Sequence, residues 1–109
     1  MEVSEILKQA KAIVTNPETF CQNSLAKNRK GVPVHAKSKD ACQWCSLGAI
    51  QKLSENNTTY NAARSFLSEA ARDMSFFILT INDHHPELLS EMFDRAIEEA
   101  SWKTTGKGS

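Results

Sequence analysis

The sequence predicts a mainly α-helical fold: a compact bundle of four or five helices with an irregular segment over residues 17–40. Three observations carry this expectation. Apolar residues recur every three to four positions over most of the chain. Capping residues and prolines fall where the periodic stretches begin and end. The 17–40 stretch, which lacks that period, has a turn signal and room for a short β-hairpin. A chain of 109 residues suits one domain. Residues 1–102 are expected to form it, and 103–109, "KTTGKGS", to be a disordered tail without apolar anchors.

Taken in order, Val3, Ile6, Leu7, Ala10, Ile13 and Val14 mark an amphipathic helix over 3–14, ended by Asn16-Pro17. Asn28-Arg29-Lys30-Gly31 reads as a turn, and Val32-Pro33-Val34 beyond it as extended chain. A hairpin would pair 21–26 with 31–34, with Pro33 confining that arm to an edge. A second helix is expected over 39–54, capped by Ser38 or Asp40, and a third after a cap at Thr58 or Thr59. "SFFILTI", residues 75–81, suits a strand or a buried helical segment, and the second reading is preferred. "NDHHP" reads as a loop, with Pro86 in the first turn of the last helix and a histidine capping it. Leu88, Leu89, Met92, Phe93, Ala96, Ile97 and Ala100 give the clearest stripe in the chain, and this last helix should pack on the first.

Composition excludes several function classes. No apolar run approaches the ~18 residues of a membrane span. The early acidic residues of "MEVSEILKQAKAIV" do not suit a signal peptide, and three cysteines is an odd number. Both point to a cytoplasmic protein with free thiols. The formal net charge is zero but unevenly spread. Residues 1–52 carry eight Lys/Arg against four Asp/Glu, whereas 53–109 carry five against nine. The basic excess lies in 27–39 without interleaved aromatics, and a pI near 6.8 gives no general attraction to phosphate, so nucleic acid is not an expected partner.

Two stretches invite a chemical reading. Cys42 and Cys45 have the spacing of half a zinc site, and on a continuous helix they would lie on neighbouring turns. A second closely spaced pair is missing, so packing is the preferred reading and Cys42/Cys45 ligation the alternative. In the same stretch, Gly48-Ala49 would let another helix approach, and the Trp44 indole N–H would need a partner. The second stretch is Asn82-Asp83-His84-His85. Its preferred reading is a turn bonded to its own backbone; the alternative is a polar ligand pocket formed by Asn82, Asp83, Trp44 and Gln22. Neither a nucleophile elbow nor a glycine-rich phosphate loop occurs, and no cofactor is expected.

An ordered set of short motifs adds to this. The helix "ILKQAKAIV", then "CQNSLAKNRKGVPV", "WCSLGAI", "NAARSFLSEAA", "IND" and "MFDRAIEEA" together resemble a small family of uncharacterised bacterial and phage domains. Its pattern has a Trp-Cys-x-x-Gly-Ala motif, a Trp-Asn-Asp motif and a closing Asp-Arg-Ala-Ile helix, and the likeness spans residues 4–101. Trp44, Cys45, Gly48, Ala49, Asn82 and Asp83 match; Ile81 replaces a usual tryptophan and Asn23 a usual glycine. The family has no assigned activity, so the resemblance implies a fold and no mechanism. The resulting expectation is a non-enzymatic interaction domain with a protein partner, an accessory or phage-derived, host-modulating protein. The alternative is a polar small-molecule binder or minor enzyme using the Trp44/Asn82/Asp83 neighbourhood.

Overall fold

In the computed structural model, α1 (Val3–Val14) occupies the centre, packed against the other long helices. The structure describes the backbone of residues 1–106 and side chains through Trp102. Five helices and one two-stranded ribbon are described: β1 (Ala26–Lys27), β2 (Gln43–Trp44), α2 (Ser46–Leu53), α3 (Asn57–Asp73), α4 (Ile78–His84), a 3-10 turn (Pro86–Leu88) and α5 (Leu89–Gly106). The mainly α expectation holds, and α1 packs most extensively on α5. The expected tail falls partly within α5, whose backbone continues to Gly106; residues 107–109 lie outside the described residues.

Helix α1 buries Ile6, Leu7, Ala10 and Val14, the stripe read from its period. It stops where predicted. The Asn16 side chain accepts from the backbone N–H of Glu18, while the Thr19 hydroxyl donates to the Ile13 carbonyl, folding the chain away after the last turn. Helix α5 presents Leu89, Met92, Phe93, Ala96 and Ala100 to the same interior, and α3 adds Ala63, Leu67, Ala70 and Ala71.

The irregular segment contains the expected turn. Asn28 Oδ1 accepts from the N–H groups of Lys30 and Val32, and Gly31 takes the positive φ of 79° that its place requires. The pairing differs from expectation. The 31–34 arm makes a single bridge, Lys27 to Pro33, held by the Asn28 N–H to the Val32 carbonyl and the Val34 N–H to the Ala26 carbonyl, so Pro33 stands where the ladder needs no N–H from it. The ladder partner of β1 is β2, antiparallel, with Ala26 opposite Trp44 and Lys27 opposite Gln43.

That pairing corrects the second helix. It begins at Ser46, not residue 39, and its cap is Cys45 rather than Ser38 or Asp40. The N–H groups of Cys42, Trp44 and Cys45 are already committed to the carbonyls of Lys27, Thr19 and Leu25. A helix through 42–45 would break all three bonds for two extra turns. Ser38 instead closes a local turn, accepting from the Asp40 N–H.

Two further boundaries move. Asn56, not Thr58 or Thr59, caps α3, its side chain accepting from the Thr59 N–H and hydroxyl. Helix α3 ends in a Schellman arrangement: Phe76 N–H donates to the Ala71 carbonyl and Ser75 N–H to that of Arg72, with Ser75 at φ 71°. The 75–81 run is therefore split. Ile78 and Ile81 are buried in α4, but Phe77 is 82% exposed and Leu79 44%. Helix α4 continues through Asn82-Asp83-His84, so the expected loop there is helix, and His85 precedes the 3-10 turn without a side-chain capping bond. Pro86 does open that turn.

Candidate functional site

Helix α4 turns its inner face, Ile78, Ile81 and Asn82, towards the 17–45 segment and the start of α2. Asn82 is fully buried, and all four hydrogen-bonding positions of its amide are used. Oδ1 accepts from the Ser46 N–H at 2.8 Å and the Ser46 hydroxyl at 2.7 Å. Nδ2 donates to the Cys21 carbonyl at 3.3 Å and to Asp83 Oδ1 at 2.9 Å. One side chain thus satisfies the first N–H of α2, a loop carbonyl and its own neighbour's carboxylate. It acts as a long-range helix cap, not the local turn expected of it.

Gln22 and Asp83 complete the clasp. Gln22 Nε2 donates to the backbone carbonyls of Asn82 and Asp83 at 3.0 and 3.2 Å, closing the last turn of α4. Asp83 Oδ1 accepts from the Asn23 N–H at 3.1 Å. Asn23 has φ 68°, a left-handed conformation that glycine or asparagine adopts with least strain.

Three of the four residues expected in a polar pocket, Gln22, Asn82 and Asp83, are therefore brought together. The Trp44 ring is not among them. Trp44 and Cys45 alternate along extended chain and point to opposite sides. The buried indole donates to the Ala36 carbonyl at 2.9 Å, and the Lys52 ammonium stands 5.1 Å from its ring. It borders a separate depression that also has Lys37 and Lys39 on its rim.

Cys21 and Cys45 are packed in the interior as small apolar groups, whereas Cys42 is only half-buried. Cys45 is 2% exposed; its Sγ accepts from the Gly48 N–H at 3.4 Å, and Cys42 lies outside any helix. The neighbouring-turn geometry behind the Cys42/Cys45 metal alternative is absent. Burial pushes the Cys45 thiol up, outweighing the N–H bonds at the start of α2 that would lower it. Burial, then the nearby Cys45, pushes Cys21 up to about 11. Among the described residues, no three His, Cys, Asp or Glu side chains are placed to hold one metal ion. Gly48 does admit a close neighbour, but the neighbour is loop backbone, not a helix: a Cβ there would stand 1.8 Å from the Leu25 carbonyl oxygen.

Outside the clasp lies a depression of about 320 Å³ lined by Asn23, Ser24, Leu25, Cys45, Leu79 and Asp83. Leu79 and Asp83 are four apart on α4 and share its outer face. Leu25 faces them from the loop, and both leucines are 44% exposed. Sequence reasoning named Asp83 but missed Asn23, Ser24, Leu25 and Leu79. The i, i+4 relation of Leu79 to Asp83 is a usable signal only once 78–84 is known to be helical.

Fold and site together define a small mainly helical domain, tied by a buried asparagine clasp with a half-apolar depression beside it. The chain belongs to the family of unknown function DUF6197, whose model matches residues 1–99. Comparison with curated proteins yields no match, and neither does comparison with solved structures. Among the described residues, no helix is long and apolar enough to cross a membrane.

Proposed function

We propose that the protein is a non-enzymatic interaction domain that engages a protein partner in the cytoplasm, an accessory or host-modulating protein of bacterial or phage origin. The observation that carries this reading is the depression beside Asp83, walled by Leu25 and Leu79 at the surface. The polar groups that invite a chemical reading hold the chain together. Asn82 is buried with its amide fully engaged, and Gln22 ties down the end of α4. Exposed leucines next to a rigid, hydrogen-bonded support suit recognition of another surface. The bacterial or phage origin rests on the motif resemblance alone.

Affinity capture with the full chain and a Leu79→Glu variant tests the proposal. The variant changes an exposed position, so it should keep the wild-type melting temperature within a few degrees. A partner identified by mass spectrometry with the wild type and lost with the variant supports the reading. A partner held equally by both places the interaction elsewhere and removes this depression from it. The alternative, a polar small-molecule site, is favoured by the Asp83 carboxylate at the depression. A thermal-shift screen against nucleotides and metabolites separates the two: a compound that stabilises the wild type but not Asp83→Ala favours the small-molecule site.

A further inference from the structure

We propose that the depression beside Asp83 receives a basic side chain, arginine or lysine, presented by the partner protein; this rests on the interaction reading above. Three features of the depression converge on that chemistry.

The first is charge. Of the six lining residues, Asp83 alone carries a carboxylate, and none is a base. Among the described residues, the hydrogen bonds to its carboxylate reach Oδ1, from Asn23 and Asn82, and no ion pair involves it. A half-buried carboxylate that accepts hydrogen bonds at one oxygen and has no ion-pair partner among the described residues is what an incoming cation complements.

The second is position. Asp83 occupies the last turn of α4, where carbonyl groups already carry partial negative charge. An acidic residue is poorly placed there in isolation, and a cation resolves that mismatch. Gln22 neutralises part of it by donating to the carbonyls of Asn82 and Asp83, but it brings no charge.

The third is shape. Lysine and arginine lay their methylene stems on apolar surface while the head group seeks polar partners. Leu25 and Leu79 provide such a surface on either side, with Asp83 at the end and Asn23 and Ser24 as further polar neighbours. The volume, about 320 Å³, lies at the small end of ligand pockets, which suits one side chain more than a cofactor.

The test is an NMR titration of the isotope-labelled full chain with blocked five-residue peptides, Gly-Leu-Arg-Leu-Gly and its counterparts with glutamine or glutamate replacing arginine. The expected result is that the arginine peptide shifts the amides of residues 23–25 and 79–83, more weakly as salt rises. The other two peptides should bind at least tenfold more weakly. Asp83→Asn keeps an oxygen for the Asn23 and Asn82 bonds but removes the charge, and should weaken the arginine peptide at least tenfold. Leu79→Ser, at an exposed position, provides a second variant that preserves the fold and should lose severalfold. Equal binding of the glutamine or glutamate peptide overturns the basic preference while leaving the interaction reading intact. Blocked arginine amide binding as tightly as the peptide overturns the assignment to a protein partner. Silence from all peptides overturns this inference, whereas the interaction reading falls only with the capture experiment on Leu79→Glu.

Discussion

The α1–α5 interface and the Asn82 clasp join parts distant in sequence by opposite means. Between α1 and α5 the join is apolar: Ile6, Leu7, Ala10 and Val14 on one helix, and Leu89, Met92, Phe93, Ala96 and Ala100 on the other, all reach the interior. Its strength grows with area, at roughly 25 cal/mol per Å² removed from water, and does not depend on any one contact angle. The clasp buries far less apolar surface and relies on direction. Asn82 meets Ser46, Cys21 and Asp83 through four hydrogen bonds, with Ser46 and Asn82 both fully buried. An apolar interface weakens in proportion to what is removed. A buried polar network instead loses the bond and strands its partners.

Removing the largest fully buried side chain tests the first half of that contrast. Phe93→Ala should destabilise by about 3–5 kcal/mol, read as a lower denaturant midpoint at unchanged slope. Asn82→Ala removes far less volume yet should cost about 3 kcal/mol, because it strands the Ser46 N–H, the Ser46 hydroxyl and the Cys21 carbonyl, at roughly 1–3 kcal/mol for a stranded group with partial compensation by water. Hydrogen exchange should locate the loss: faster exchange at the start of α2 and in residues 19–25, with α1 and α5 amides following global stability. A cost below 1 kcal/mol for Asn82→Ala would remove the distinction between the two regions.

The same contrast explains which parts are legible in the sequence. Helix α1 is legible residue for residue, since one periodic stripe and one proline decide it locally. The stripes of α3 and α5 are legible for the same reason. The start of α2 is not, because Ala41 to Cys45 are compatible with helix and only the carbonyls of Lys27, Thr19 and Leu25 draw them out of it. Helix α4 spans seven residues, too few for a period to declare itself, and the Schellman end before it uses serine where glycine is the usual signal. Gln22, Asn82 and Asp83 stand out by residue type, but their roles depend on neighbours some sixty positions away. Leu25 and Leu79 carry no mark, since an exposed leucine is ordinary until something forms beside it.

Alkaline titration probes the packing around the clasp by a smaller effect. The Cys21 thiol is raised from 9.0 to about 11 in the folded chain, first by burial and then by Cys45. The unfolded chain therefore releases this proton earlier, and the folded state holds more protons between the two values. Stability is fully present below pH 9, falls as pH rises from about 9 to about 11, and levels off above that for this group. Other groups titrate in the same range, so the informative quantity is the difference between wild type and Cys21→Ala. The variant should start less stable and lose less over that window. Parallel profiles would mean that Cys21 is solvated, contrary to its 5% exposure.

The smallest expected effect lies on the rim of the apolar region. Lys11 of α1 and Asp94 of α5 form an ion pair at 2.7 Å, with Asp94 60% exposed in its side chain. Its distance is shorter than any polar contact of Asn82 except the one to the Ser46 hydroxyl, which it equals. Distance alone would rank the two alike. Burial does not: exposed pairs are screened and must hold two mobile side chains in place. A double-mutant cycle with Lys11→Ala and Asp94→Ala should give a coupling below about 1 kcal/mol, falling further in 1 M salt. A matching cycle on Ser46→Ala and Asn82→Ala should give a larger coupling that salt leaves unchanged, since neither partner is charged and both are buried. Equal couplings would mean that contact length, not removal from water, decides what a polar contact contributes in this protein.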